Sequence, residues 1–210
     1  MMNKRGRRIL PLLLLVLVLV FGCCSCQSEV QDARQAVDDG MKQLQEGDLA
    51  EAADYFKGLD DIDKVLGTYE SYGVDLEQLT GAMFGQMNYE ITDAEKMKDN
   101  TVRVKVKITN KDMNKAADAW AEAIQKDASD PNSTLYKTYQ KSSIKGVYKV
   151  LFEKLTKEIS AEKDTVTENM TVNVKKSGDQ WKAVLSEAQL NKISGNFEDA
   201  LLGVGSRFNI

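Results

Sequence analysis

The chain has 210 residues, with 28 Lys+Arg, 32 Asp+Glu, three Cys and no His. Having no His removes His-based triads, His metal ligands and the usual general base near neutral pH. A hydrophobic content of 42% is too high for a disordered chain, and a formal charge of −4 gives no reason to expect a nucleic-acid partner.

Lys4, Arg5, Arg7 and Arg8 open the chain as a basic segment. Ile9 to Phe21 is then apolar, interrupted only by Pro11. A bilayer span needs roughly 20 apolar residues, so this run is too short and fits the hydrophobic region of a secretory signal peptide. Val20-Phe21-Gly22-Cys23 follows. Those residues resemble a bacterial lipobox, in which a small residue precedes the modified Cys. The resemblance implies a signal peptide over 1–22, diacylglyceryl transfer to the Cys23 sulfur, and a lipidated tether over 23–30. Cys24 and Cys26 lack an aliphatic residue three positions earlier, so Cys23 is the preferred attachment site. A plain secretory signal or an uncleaved anchor is the rival reading. All three Cys fall within 23–26 and none follows, so the body is not a disulfide scaffold. Cys23 and Cys26 have C-x-x-C spacing, but no second pair, no His and no strand–helix context supports a zinc or redox site. Cleavage removes four basic and no acidic residues, leaving 24 against 32, or −8. An acidic body tethered by its lipid is repelled from an anionic membrane surface, and is anchored rather than spanning.

Val30, Ala33, Val37, Met41 and Leu44 step by three or four, the period of an amphipathic helix. Gly47 ends that helix, and Asp48 with Glu51 opens a second one on Leu49, Ala52, Ala53 and Phe56. The single Gly47–Phe56 unit resembles half of a tetratricopeptide repeat; a solenoid needs about three copies, so a helical hairpin is the better reading. Residues 58–88 are Gly-rich and read as short helices broken by turns.

The period then becomes two. Val102, Val104, Val106 and Ile108 alternate with Arg103, Lys105 and Lys107, and Tyr89 and Ile91 begin a preceding strand with a hairpin near Lys98-Asp99-Asn100. Asp112 caps a helix with a stripe of Met113, Ala116, Ala117, Trp120, Ala121 and Ile124, whose small residues suggest close packing on a sheet. Ser133 opens a long helix to about Ala161. Val166, Met170, Val172 and Val174 form a third strand, and Lys176 to Asp179 turn the chain into a fourth with Trp181, Ala183 and Leu185. A helical tail starts at Glu187 and ends at Gly203 and Gly205.

This order predicts a single α+β domain over 31–210: N-terminal helices packed on a curved antiparallel sheet of about four strands. The Glu46-Gly47-Asp48-Leu49 turn with Ala52-Ala53, the Gly178-to-Leu185 hairpin and the Ala200-Leu201-Leu202-Gly203 tail resemble the cystatin-like or nuclear-transport-factor-like body of small bacterial lipoproteins. The resemblance implies a cone-shaped sheet around helices, in some members a cavity, and no catalytic set.

Asp60, Asp61 and Asp63 could hold Ca²⁺, but the loop lacks the EF-hand spacing and reads as a solvated turn. Asp38-Asp39-Gly40 reads as an exposed helix edge. The Arg103, Lys105, Lys107 row could bind an anionic polymer; the ordinary reading is a wet strand face paired with neighbouring acids. Trp120, Tyr136, Tyr139, Tyr148 and Trp181 could line a ligand pocket, although aromatics at this spacing more often belong to the core. No phosphate-loop, dinucleotide or nucleophile-elbow motif occurs, and no cofactor is implied. The expected function is therefore non-enzymatic: an envelope lipoprotein on the extracytoplasmic face of the cell membrane, binding a protein partner or small ligand. The alternative is a pocket enzyme or hydrophobic-ligand carrier on the same fold.

Overall fold

The computed structural model describes residues 27–59, 67–141 and 143–208. Helix α1 covers 27–46 and buries the stripe Ala33, Val37, Met41 and Leu44. It starts within the expected tether: Glu29 lies in the helix and is ion-paired with Lys96. Gly47, at φ +81°, takes the left-handed turn that a β-carbon disfavours, and its N–H closes on Leu44 O at 3.0 Å. Asp48 caps α2 (Leu49–Ala53), its carboxylate accepting from Glu51 N at 2.9 Å.

The α1–α2 hairpin is as expected, but α2 stops one turn early. Phe56 belongs to β1 (Phe56–Lys57), which runs parallel to β5 with Phe56 opposite Ala183. Phe56 is fully buried against Gly40 of α1, where a β-carbon would come within 2.6 Å of its ring. Packing decided this segment, because the Phe position satisfies helix and strand periods equally.

Gly67–Glu70 form a helical turn, and α3 spans Leu76–Phe84 behind an Asp75 cap. The strands are β2 (Asn88–Lys96), β3 (Val102–Lys111), β4 (Thr165–Ser177) and β5 (Gln180–Val184). The sheet has five strands in the order β1-β5-β4-β3-β2, with β1–β5 parallel and the other pairs antiparallel. The expectation of about four antiparallel strands is corrected by β1, which two residues could not announce in sequence.

The inner face carries Val102, Val104, Val106, Ile108, Met170, Val172, Val174 and Ala183, all buried in one core with α1. Each buried side chain of that size contributes about 1.5–3 kcal/mol. On the outer face a bulge between Ile91 and Asp93 re-registers β2. Glu90, Asp93 and Glu95 then stand opposite Lys107, Lys105 and Arg103, and Lys105 Nζ lies 2.9 Å from Asp93. The basic row thus has an acidic neighbour at every position.

Between β3 and β4 run α4 (Met113–Ser129), α5 (Thr134–Gln140) and α6 (Ile144–Ala161). The expected single helix from Ser133 is two helices, because the Ser143 hydroxyl accepts from Gly146 N at 3.2 Å and caps a new one. The alanine face of α4 packs against α6 and α8 (Phe197–Phe208) rather than the sheet. The tail is likewise two helices, α7 (Glu187–Ile193) and α8. The break lies at Gly195, φ +70°, where a β-carbon would stand 2.2 Å from Lys111 O. Gly203 and Gly205 lie inside α8 and do not end it; helical packing outweighs their modest propensity cost.

Candidate functional site

Helices α1, α2, α3, α4, α6, α7 and α8, with the turn at 67–70, line a cavity of about 490 Å³. One wall is the i, i+3, i+4, i+7 face of α6: Tyr148, Leu151, Phe152 and Leu155. Facing it are Leu79, Thr80, Met83 and Phe84 of α3. Leu190 and Ile193 of α7 with Phe197 and Leu201 of α8 form a third side, and Leu44, Leu49 and Leu59 the floor. Leu44, Leu79, Leu155 and Ile193 are buried, whereas Tyr148, Phe152, Leu190 and Leu201 are half-buried, so the latter make the mouth. No described strand residue lines the cavity. It sits among the helices.

Trp120 of α4 holds the α6 wall: its indole N–H donates to Leu151 O at 2.9 Å. Tyr69 packs on Phe152 at 4.9 Å and edge-on to Tyr148 at 5.9 Å, while Tyr72 stacks on Tyr148 at 5.4 Å. Such ring pairs add about 0.5–1.5 kcal/mol beyond area burial and rigidify the wall.

The polar lining groups are Thr80, Asn191, Ser194 and Glu198. The Thr80 hydroxyl is used by Gly47 O at 3.0 Å and Leu76 O at 2.9 Å. Asn191 bridges Asp199 at 2.7 Å and Glu198 N at 2.9 Å, and Ser194 donates to Asn191 O at 2.9 Å. Glu198 is exposed at the rim. No Lys or Arg is among the described lining residues.

Of the five aromatic candidates, Trp120 and Tyr148 line this cavity. Tyr136 is half-buried on α5 and Tyr139 is 69% exposed, both outside it. Trp181 is half-buried in a separate cleft beside Asp32, Gln35 and Tyr55, near the start of α1. Tyr136 and Tyr139 lie on α5, a helix separate from α6, and Trp181 lies at the start of β5, beside the start of α1. Tyr69, Phe84, Phe152 and Phe197 were missed; their helical spacing carried the signal, but the Gly-rich segment hid which faces converge. Cys23 and the Asp60, Asp61, Asp63 cluster lie outside the described residues.

Two other titratable sites are structural. Lys111 is buried, and its ammonium donates to Ile159 O at 2.7 Å and Ser160 O at 3.3 Å, ending α6. Burial pushes its pKa down. Tyr89 donates to the Asp38 carboxylate at 2.8 Å. Burial, then that bond, raises the Tyr89 pKa; burial opposes the Asp38 carboxylate, but bonds from Lys42 and Tyr89 outweigh it and hold the Asp38 pKa low. Neither group reaches the cavity. Among the described residues no acidic or cysteine cluster could hold a metal. No described helix is long and apolar enough to cross a membrane. The chain matches no protein family, no curated protein and no solved structure.

Proposed function

We propose that this chain is an envelope lipoprotein, anchored through Cys23 on the extracytoplasmic face, whose body holds a small apolar ligand between its helices. The carrying observation is the cavity itself: about 490 Å³, with walls almost wholly of aliphatic and aromatic side chains. Ligand sites typically measure roughly 300–1,000 Å³. A water-filled space of this size among Leu, Met and Phe is unfavourable, so burying a hydrophobe there is the gain that drives binding.

The chemistry of the rim narrows the ligand. With no cation in the described lining and Glu198 at the mouth, a free carboxylate or phosphate inside the cavity would be desolvated without a counter-charge. The ligand is therefore uncharged, or carries an amine toward Glu198. We read the body as a variant of the cystatin-like or nuclear-transport-factor-like architecture, with the ligand space moved from the sheet to the helices. The helical insertion between the two strand pairs supports that reading, since α4 and α6 supply part of the cavity wall. A carrier suits the site better than an enzyme, because its polar groups are bonded to one another and no acid–base pair converges on the space.

Binding is tested with N-phenyl-1-naphthylamine, an uncharged fluorescent hydrophobe. Saturable one-to-one binding is expected, reduced about ten-fold when Leu151→Trp fills the half-buried wall, a loss of roughly 1.4 kcal/mol. Equal binding by Leu151→Trp and the unaltered chain would sink the reading. The anchor is tested separately: Cys23→Ala is expected to abolish the acyl mass and detergent-phase partitioning, and retention of both refutes it.

A further inference from the structure

We infer that the α5–α6 corner is a docking surface for an anionic lipid bilayer. From Pro131 to Phe152 the chain carries Lys137, Lys141, Lys145 and Lys149 and no acidic residue, within an otherwise acidic protein. All four lysines are exposed, but Lys137 donates to Asn132 O at 2.7 Å at the start of α5, so the corner itself carries Lys141, Lys145 and Lys149. Tyr139 at 69% and Ile144 at 70% exposure stand at the same corner, two of the four large hydrophobics that the described fold leaves in water. Cationic heads beside an exposed aromatic ring and an aliphatic chain match the boundary between lipid headgroups and acyl chains.

The corner is a fixed shape. A β-carbon at Gly146 would come within 2.8 Å of Thr138 Cγ2, so only Gly lets α5 and α6 approach this closely. Lys145 Nζ lies 5.5 Å over the Tyr72 ring, and Tyr72 stacks on Tyr148 in the cavity wall. The basic corner therefore borders the aromatic mouth. Two acids moderate it: Glu153 is 3.8 Å from Lys149, and Glu70 is exposed on the adjoining turn. The net charge repels the body from an anionic surface, whereas this corner is attracted, so the molecule turns the corner toward the lipid. The inference needs neither the acyl anchor nor an occupied cavity.

The full chain is added to preformed vesicles of phosphatidylcholine alone, or with phosphatidylglycerol. Lysines are acetylated with a water-soluble reagent and each rate is read by mass spectrometry. Lys176 is the internal reference; it lies in β4 opposite Trp181, which packs near Asp32 at the opposite end of α1 from the cavity. On anionic vesicles, labelling at Lys141, Lys145 and Lys149 should slow about ten-fold relative to Lys176, and high salt should restore it. Tyr139→Ser with Ile144→Ser, both exposed and so harmless to folding, should lose most of that protection. Equal rates on the two lipids, equal slowing at Lys176, or protection indifferent to both salt and the double variant overturns the inference.

Discussion

Gly40 sits in the interior of a twenty-residue helix, where Ala would ordinarily gain about 1 kcal/mol. Here the gain should be reversed. An added β-carbon would lie 2.6 and 2.8 Å from two ring carbons of Phe56 and 2.8 Å from Tyr55 Cβ. Phe56 is fully buried and cannot swing away, and overpacking of this kind costs about 1–3 kcal/mol. Gly40→Ala is therefore expected to destabilise by about 1 kcal/mol. Phe56→Leu alone should cost about 2 kcal/mol through the space it leaves. In the double variant the ring contacts vanish and only the Tyr55 contact remains, so the Gly40→Ala penalty should shrink to near zero. Urea denaturation of all four proteins gives the coupling directly, expected at about 1 kcal/mol or more in favour of the pair. Additivity within about 0.5 kcal/mol, or a stabilised Gly40→Ala single variant, would refute the packing argument.

Leu79→Phe should fill part of the cavity from its buried α3 wall. An added ring area of about 40 Å² gains about 1 kcal/mol, so the melting temperature should rise while affinity for the naphthylamine probe falls several-fold; a lower melting temperature would mean the space is not open. Tyr89→Phe tests the Tyr89–Asp38 bond. The Tyr89 pKa is raised above its ordinary value of 10.0, so the folded state keeps a proton that the unfolded state releases. The sign follows: the contribution is fully present below pH 10.0 and is lost as pH climbs above it. Tyr89→Phe should cost about 1 kcal/mol at neutral pH yet show a shallower alkaline loss in urea titrations; parallel pH curves would refute the assignment. Gly195→Ala should be strongly destabilising by thermal melting, since its β-carbon would fall 2.2 Å from Lys111 O at a left-handed φ.

Periodicity made most of the elements legible. The Val102–Ile108 alternation gave β3, the Val30–Leu44 stripe gave α1, and Asp48, Asp112 and Ser133 each act as a cap. What stayed hidden depends on contacts distant in the chain. Two residues of β1 carry no period, and only burial of Phe56 against Gly40 and pairing with Ala183 fix them as a strand. The start of α6 as a separate helix rests on Ser143 accepting from the nearby Gly146 amide instead of continuing α5. For the cavity, the sequence showed each apolar face but not which faces would meet. Trp120 and Tyr148 lie on strongly periodic helices, where a ligand-facing role could be considered from sequence; Tyr69 lies in a Gly-rich segment with no period to read.

Strand β1 acquires its hydrogen-bonding partner only when β5 has been made, late in the chain. A product cut off before Ala183 would keep the amino-terminal hairpin yet leave Phe56 without its neighbouring strand, presenting an aromatic ring to proteases. Closing the β1 edge therefore joins residues 56–57 to 183–184, a contact distant in sequence whose loop-closure cost falls late in folding.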